Sequence, residues 1–244
     1  MPASRPRIDI SADPEALARR AAQWITDLAC HKSGRFSVAL SGGSTPRRLY
    51  QLLADAPYRD ALPWDRVHWF FGDDRFVPWD SPDSNYGMAN AALFSRAPVP
   101  PGNIHGIAYS GAPSDAARAY ERELVAWYGS DKLDPAKPLF DVILLGMGPD
   151  GHTASLFTGK PALDEHRAWV TGVPEPGLNP HVPRVTLTYP ALASAGSVAF
   201  LAAGADKKAM MDRVLAGEWD LPSARVKANG ELAWFVDKAA RGEA

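Results

Sequence analysis

Apolar positions recur along the chain with two different periods, and the two take turns. Short apolar runs bounded by turn residues fall at 36–40, 67–71, 142–145 and 197–203, the third flanked by Phe140 and Met147. A continuous run of this length fits a strand buried on both faces of a parallel sheet. Between the runs, apolar residues repeat at helical spacing. The first such stripe covers 14–29, through Leu17, Ala21, Trp24, Ile25 and Leu28, with Asp13 placed to cap it and Pro14 at its first position. A second runs from Pro46 through Leu49, Leu52 and Leu53, a third covers 114–128 behind Ser114 as N-cap, and a fourth ends at Leu215. Loop 78–85 runs into a helix ending near Phe94, and residues 222–226 predict a helical turn. Weaker strands are expected near Ile104 and at 168–173, 184–188 and 232–236. Strands alternating with helices, with few hairpin signals, predict an α/β fold: a mostly parallel, Rossmann-like open sheet sandwiched by helices. With no repeat, low-complexity segment or Pro/Gly-rich linker, residues 1–244 read as a single domain.

Composition narrows the function classes. The net charge of −2 provides no whole-chain field for nucleic acid or an anionic membrane, so an anionic ligand must be held by local groups. One cysteine, Cys30, excludes an internal disulfide and a cysteine metal cluster; it reads as a small buried residue on the first helix. No signal-peptide h-region and no apolar run of about 20 residues is present, so the expectation is a cytoplasmic protein without a membrane span. Oligomeric state has no signature in the sequence.

The chemistry concentrates where strands end. After the run at 142–145 come Gly146, Gly148 and Gly151, which let the backbone turn, with Asp150 and His152 among them. That loop lies at the carboxyl end of its strand, where open α/β sheets place their ligands. After the 36–40 run comes Ser41-Gly42-Gly43-Ser44-Thr45. A glycine-rich strand-to-helix loop exposes N–H groups beside the positive end of a helix dipole, which suits a phosphate; a tight turn capped by Thr45 is the alternative. Asp73, Asp74 and Arg75 follow the 67–71 run, either facing a ligand or forming a solvated ion-pair cluster. Neighbouring carboxylates on an extended chain point to opposite faces, which disfavours a metal pair. Arg184 opens a strand, and Lys207 sits at a helix start, where the dipole opposes a cation unless an anion is bound.

Residues 146–151 also match GxGxxG, with Glu175 as the acid that a dinucleotide site needs further on, but Pro149 and Asp150 put a ring and a charge in the path of a pyrophosphate. No GxSxG elbow occurs, and Ser155 reads as capping or packing a helical turn. His68 and His105 read as packed histidines. His152 is left as the acid/base candidate, because imidazole titrates near neutral pH, and Asp150 either orients it or meets the ligand.

SGGSTP, GDDRFVP, the Ser84-Asn85 pair, LLGMGPDGHTASLF, RVTLT and the Gly204/Lys207 pair together resemble the 6-phosphogluconolactonase family over roughly residues 15–240. The related glucosamine-6-phosphate isomerases/deaminases share the fold and glycine loop, but typically carry DEY at 73–75 and DGH followed by IAFNEP. The family usually has DER at 73–75 and LFPG at 156–159, where this chain has Asp74 and Thr158. The resemblance implies metal- and cofactor-free hydrolysis of a phosphorylated sugar lactone. His152, with Asp150, would act as general base on water. Gly42, Gly43, Ser44, Thr45, Asp73, Arg75, Gly151, Arg184 and Lys207 would hold the substrate and its phosphate. A sugar-phosphate isomerase or deaminase, and a non-catalytic sugar-phosphate binder, are the alternatives.

Overall fold

The computed structural model describes residues 6–243. In chain order the strands are β1 (Arg7–Ser11), β2 (Phe36–Leu40), β3 (Val67–Phe71), β4 (Asp73–Arg75), β5 (Phe140–Leu145), β6 (Val170–Val173), β7 (Arg184–Leu187), β8 (Ala195–Ala202) and β9 (Glu231–Asp237). The α-helices are α1 (Pro14–His31), α2 (Ser44–Leu53), α3 (Tyr58–Ala61), α4 (Asn85–Ala89), α5 (Pro113–Tyr128), α6 (Tyr189–Ala193), α7 (Lys208–Leu215) and α8 (Lys238–Arg241).

Six strands form one sheet in the order β1-β9-β8-β5-β2-β3. Every pairing in it is parallel. The apolar runs fill its middle: every residue of β2 is buried, and so are Val142 to Leu145 of β5. Such strands need cover on both faces, and the amphipathic helices supply it. The inner face of α1 buries Leu17, Ala21, Trp24 and Ile25, and Asp13 caps the helix by accepting from Ala16 N at 2.8 Å. From β2 the chain steps to β3 on one side, then returns to β5 on the other. The carboxyl ends of β2 and β5 therefore flank the point where strand order reverses, which is where a doubly wound sheet opens a crevice. A second, antiparallel sheet, β4-β7-β6, is joined to the first through Gly72. It hangs over that crevice. No helix among the described residues is long and apolar enough to cross a membrane.

Several expectations are corrected. Strand β1 was not apparent, because Arg7, Asp9 and Ser11 alternate with Ile8 and Ile10 that remain exposed on an edge strand. Helix α2 starts at Ser44 with Gly43 as N-cap, not Thr45, since Gly43 takes φ 110°, open to glycine alone. Helix α5 begins at Pro113 behind Ala112, not at Ser114, and Asp115 Oδ2 accepts from Ala112 N at 3.0 Å in place of a serine cap. The strand near Ile104 is a single bridge to Trp69. Cys30 lies on α1 but on its exposed side, with Sγ 3.4 Å from the Ala61 carbonyl.

His68 and His105 stack beside Trp127, and His105 meets Glu123 on α5 at 2.6 Å, an acid far off in sequence. Burial, reinforced by His105 and Arg35, lowers the His68 imidazole to about 4. An unfolded chain protonates near pH 6.5, so between about pH 4 and 6.5 it binds a proton that the native state refuses. That share of stability is present above pH 6.5 and drains away as pH falls toward 4. Thermal melts of wild type and His68→Phe at pH 7 and pH 4.5 should show the variant losing less on acidification; an equal loss contradicts this.

Candidate active site

A cleft opens at the strand-order reversal. Ser41, Gly42 and Gly43 line it after β2, and Gly146 to Gly148, His152 and Ala154 after β5. Asp73, Arg75 and Arg184 come down from the small sheet, and Asn85 from the start of α4.

Loop 146–154 is built to present the histidine. Gly148 N donates to His152 O at 2.9 Å, Gly151 N donates to Gly148 O at 3.1 Å, and Thr153 Oγ1 donates to Gly146 O at 2.8 Å. The imidazole lies directly over Gly148, where a Cβ would collide with His152 Nδ1 and Cε1. Its Nδ1 sits 2.5 Å from Asp150 Oδ1, and its ring packs on Phe157 at 4.6 Å. A carboxylate there can accept a hydrogen bond from Nδ1, and Nε2 has no hydrogen-bond partner among the described residues. The side chain is 22% exposed, so solvent reaches the ring. Ala154 takes φ 47°, the one left-handed non-glycine residue among those described, at the turn that carries the chain out of this loop. Gly148→Ala should displace the ring by about an ångström or more and lower kcat by roughly 10²-fold. Steady-state turnover with circular dichroism as a check on folding tests this; wild-type kcat would contradict it.

Two arginines line the same cleft, beside the Asp73 carboxylate. Arg75 and Arg184 are cross-strand partners in the β4–β7 ladder. Like charges directly opposite are destabilising. Burial first, and the Arg75 charge second, push the Arg184 guanidinium below its ordinary value, while Asp73, Asp83 and Asp74 pull the other way. Arg184 Nε and Nη2 donate to the Val182 and Pro180 carbonyls, at 3.1 and 3.0 Å, which aims the buried guanidinium. Both guanidinium groups line the cleft, and forked donors of this kind suit an oxyanion.

Asp73 and Asp74 point apart, as neighbours on a strand do. Asp73 faces the cleft and accepts from Ser155 Oγ at 2.7 Å. Ser155 is thus a buried partner of a cleft carboxylate, not a helix cap. Asp74 turns away into the protein, and burial raises its carboxyl to about 6 despite the backbone N–H groups it accepts from.

The remaining sequence candidates lie outside the lining. Lys207 Nζ donates to Met147 O at 3.2 Å, which holds its charge against the loop that lines the cleft. Ser44 and Thr45 line a separate cavity with Gly204 and Arg48. Gly151 takes φ 79° and packs against Leu221 and Met210, with its carbonyl accepting from Ser223 N. The GxGxxG match loses its dinucleotide reading, because residues 153–156 form a turn and no helix starts there to receive a pyrophosphate. Sequence reasoning missed Asn85 and Ser155. A polar pair next to a loop carries no sign of burial, and only the pairing of Ser84 with Asn85 hinted at a role.

A profile of the family described as glucosamine-6-phosphate isomerases/6-phosphogluconolactonase matches residues 12–234. The 6-phosphogluconolactonase of Nostoc sp. is 40% identical over 97% of this chain and 97% of its own. Among solved structures, 6-phosphogluconolactonase from Trypanosoma cruzi superposes with a TM-score of 0.85 at 30% identity, covering 98% of this chain and 97% of its own. That from Thermotoga maritima gives 0.82 at 34% identity, covering 96% of this chain and 100% of its own.

Proposed function

The chain belongs to the glucosamine-6-phosphate isomerase/6-phosphogluconolactonase family, and from that premise we propose that it is a lactone hydrolase converting 6-phospho-D-glucono-1,5-lactone to 6-phosphogluconate in the pentose phosphate pathway. The observation that carries this reading is the pairing, across one cleft, of a histidine with a free Nε2 and two facing arginines.

The phosphate sits between Arg75 and Arg184, with N–H groups of the Gly42–Gly43 turn beside it and Lys207 adding charge through the Met147 loop. Anchoring that remote group fixes the lactone carbonyl beside His152 and removes much of the entropic barrier. Asp150 holds the Nδ1 proton. Nε2 takes a proton from water as the water oxygen bonds to the carbonyl carbon. When the tetrahedral intermediate collapses, the bond from that carbon to the ring oxygen breaks, and the imidazolium returns its proton to the departing oxygen. Asp73, fixed by Ser155, is placed to accept from a sugar hydroxyl. Base catalysis of this type contributes roughly 10²–10⁴-fold. No step calls for a metal or organic cofactor, and the cytoplasm is the compartment this reading assigns.

The test is formation of 6-phosphogluconate from freshly generated lactone, measured against spontaneous hydrolysis. A clear acceleration is expected, and none would overturn the reading. The buried Asp73 carboxylate also favours a second reading, carbon-proton abstraction by an isomerase/deaminase; ammonia release from glucosamine 6-phosphate would reveal it.

A further inference from the structure

Asp74 contributes nothing to the cleft directly, yet it holds a dense set of contacts. Its Oδ1 accepts from Asn85 N at 2.6 Å and from Arg75 N at 2.7 Å. Its Oδ2 accepts from Tyr86 N at 3.0 Å and from Ser84 Oγ at 3.3 Å. One buried carboxylate thus ties strand β4 to the first turn of α4, and the residue whose N–H it holds most closely is Asn85.

The Asn85 side chain points back to the cleft. Its Nδ2 donates to the Asp73 carbonyl at 2.9 Å, and its Oδ1 accepts from Arg75 Nη1 at 3.0 Å. Both amide atoms are in use, and the residue is 2% exposed, so the amide has one orientation consistent with its partners. It lies directly over Gly42, where a Cβ would collide with Asn85 Oδ1. The missing side chain at 42 therefore makes room for the amide. The other acceptor for Arg75 Nη1 is the Asp83 carbonyl at 2.8 Å, in the loop just before α4.

We propose that Asp74 and Asn85 are positioning residues for substrate recognition: Asp74 locks the start of α4, and through it the Asn85 amide aims the Arg75 guanidinium at the phosphate. This rests on the assignment of the phosphate to Arg75 and Arg184. It gives position 74 a function, as the carboxylate that accepts from the N–H of the very next residue as well as from those of α4. It also predicts that Gly42 serves the same device by standing clear of it.

The experiment compares kcat and KM of Asp74→Asn and Asn85→Ala for the phosphorylated lactone and for unphosphorylated glucono-1,5-lactone. Each is made alone and on an Arg75→Ala background. Each single change should raise KM for the phosphorylated lactone by roughly tenfold, the worth of one charge-assisted hydrogen bond, with kcat changed much less. The preference for the phosphorylated substrate should shrink by the same factor. On the Arg75→Ala background the same changes should add nothing further, because residues acting through one group are not additive. Effects that add fully to Arg75→Ala, or that lower kcat with KM unchanged, overturn the inference. If Arg75→Ala itself leaves KM and substrate preference at wild-type values, the phosphate assignment falls first and takes the inference with it. Should Asp74→Asn fail to fold, Asn85→Ala carries the same comparison, because it leaves the α4 backbone contacts to Asp74 in place.

Discussion

Replacing His152 with alanine is expected to lower turnover of the phosphorylated lactone by roughly 10²–10⁴-fold, with little change in KM. The ring lines the cleft with Nδ1 held against Asp150 Oδ1 and with Nε2 lacking a hydrogen-bond partner among the described residues. The fold should survive, because the ring is partly exposed and its contacts are local: Phe157 beside it, Gly148 beneath, Asp150 two residues away. The loop's own backbone hydrogen bonds do not involve the side chain. Rates must be corrected for spontaneous opening of the lactone. Turnover equal to wild type after that correction removes His152 from the mechanism.

Replacing Arg184 with alanine should act on the other end of the substrate. Loss of a forked, charge-assisted phosphate contact is expected to raise KM by roughly 10–100-fold, while kcat at saturation falls far less. Arg184→Lys should recover only part of this, since a point charge on a flexible stem cannot reproduce the fork. There is a further consequence without substrate. Arg75 and Arg184 repel each other across the β4–β7 ladder, and inorganic phosphate should raise the thermal stability of the wild type by bridging them. Arg184→Ala should lose most of that response. An unchanged KM together with an undiminished phosphate response would place the phosphate elsewhere.

Much of this arrangement is visible in the sequence, and the visible parts share a cause. Strands β2, β3, β5 and β8 are buried on both faces, so they read as continuous apolar runs, and their carboxyl ends then locate the loops. The pairing of Asp150 with His152 is local, two residues apart, and so could be anticipated. What sequence could not show was set by tertiary contacts. Edge strand β1 has no apolar run, because half of it faces solvent. Strand β4 is three residues long and exists only because β7 pairs with it. Arg75 faces Arg184 through a register no local pattern encodes, and the use of Asn85 depends on an empty space above Gly42. Ser44 and Thr45 were drawn toward the phosphate by the loop's composition. In the structure they follow the N-cap Gly43 and line a different cavity from His152.

In the proposed mechanism one cleft holds the phosphate between Arg75 and Arg184 while presenting the reacting carbon to His152. A crystal structure with the product 6-phosphogluconate bound measures both distances at once. Phosphate oxygens are expected within hydrogen-bond reach of both guanidinium groups, and the C1 carboxylate against His152 Nε2. A phosphate seated at Ser44 and Thr45 instead, or a C1 carboxylate out of reach of the imidazole, would contradict it.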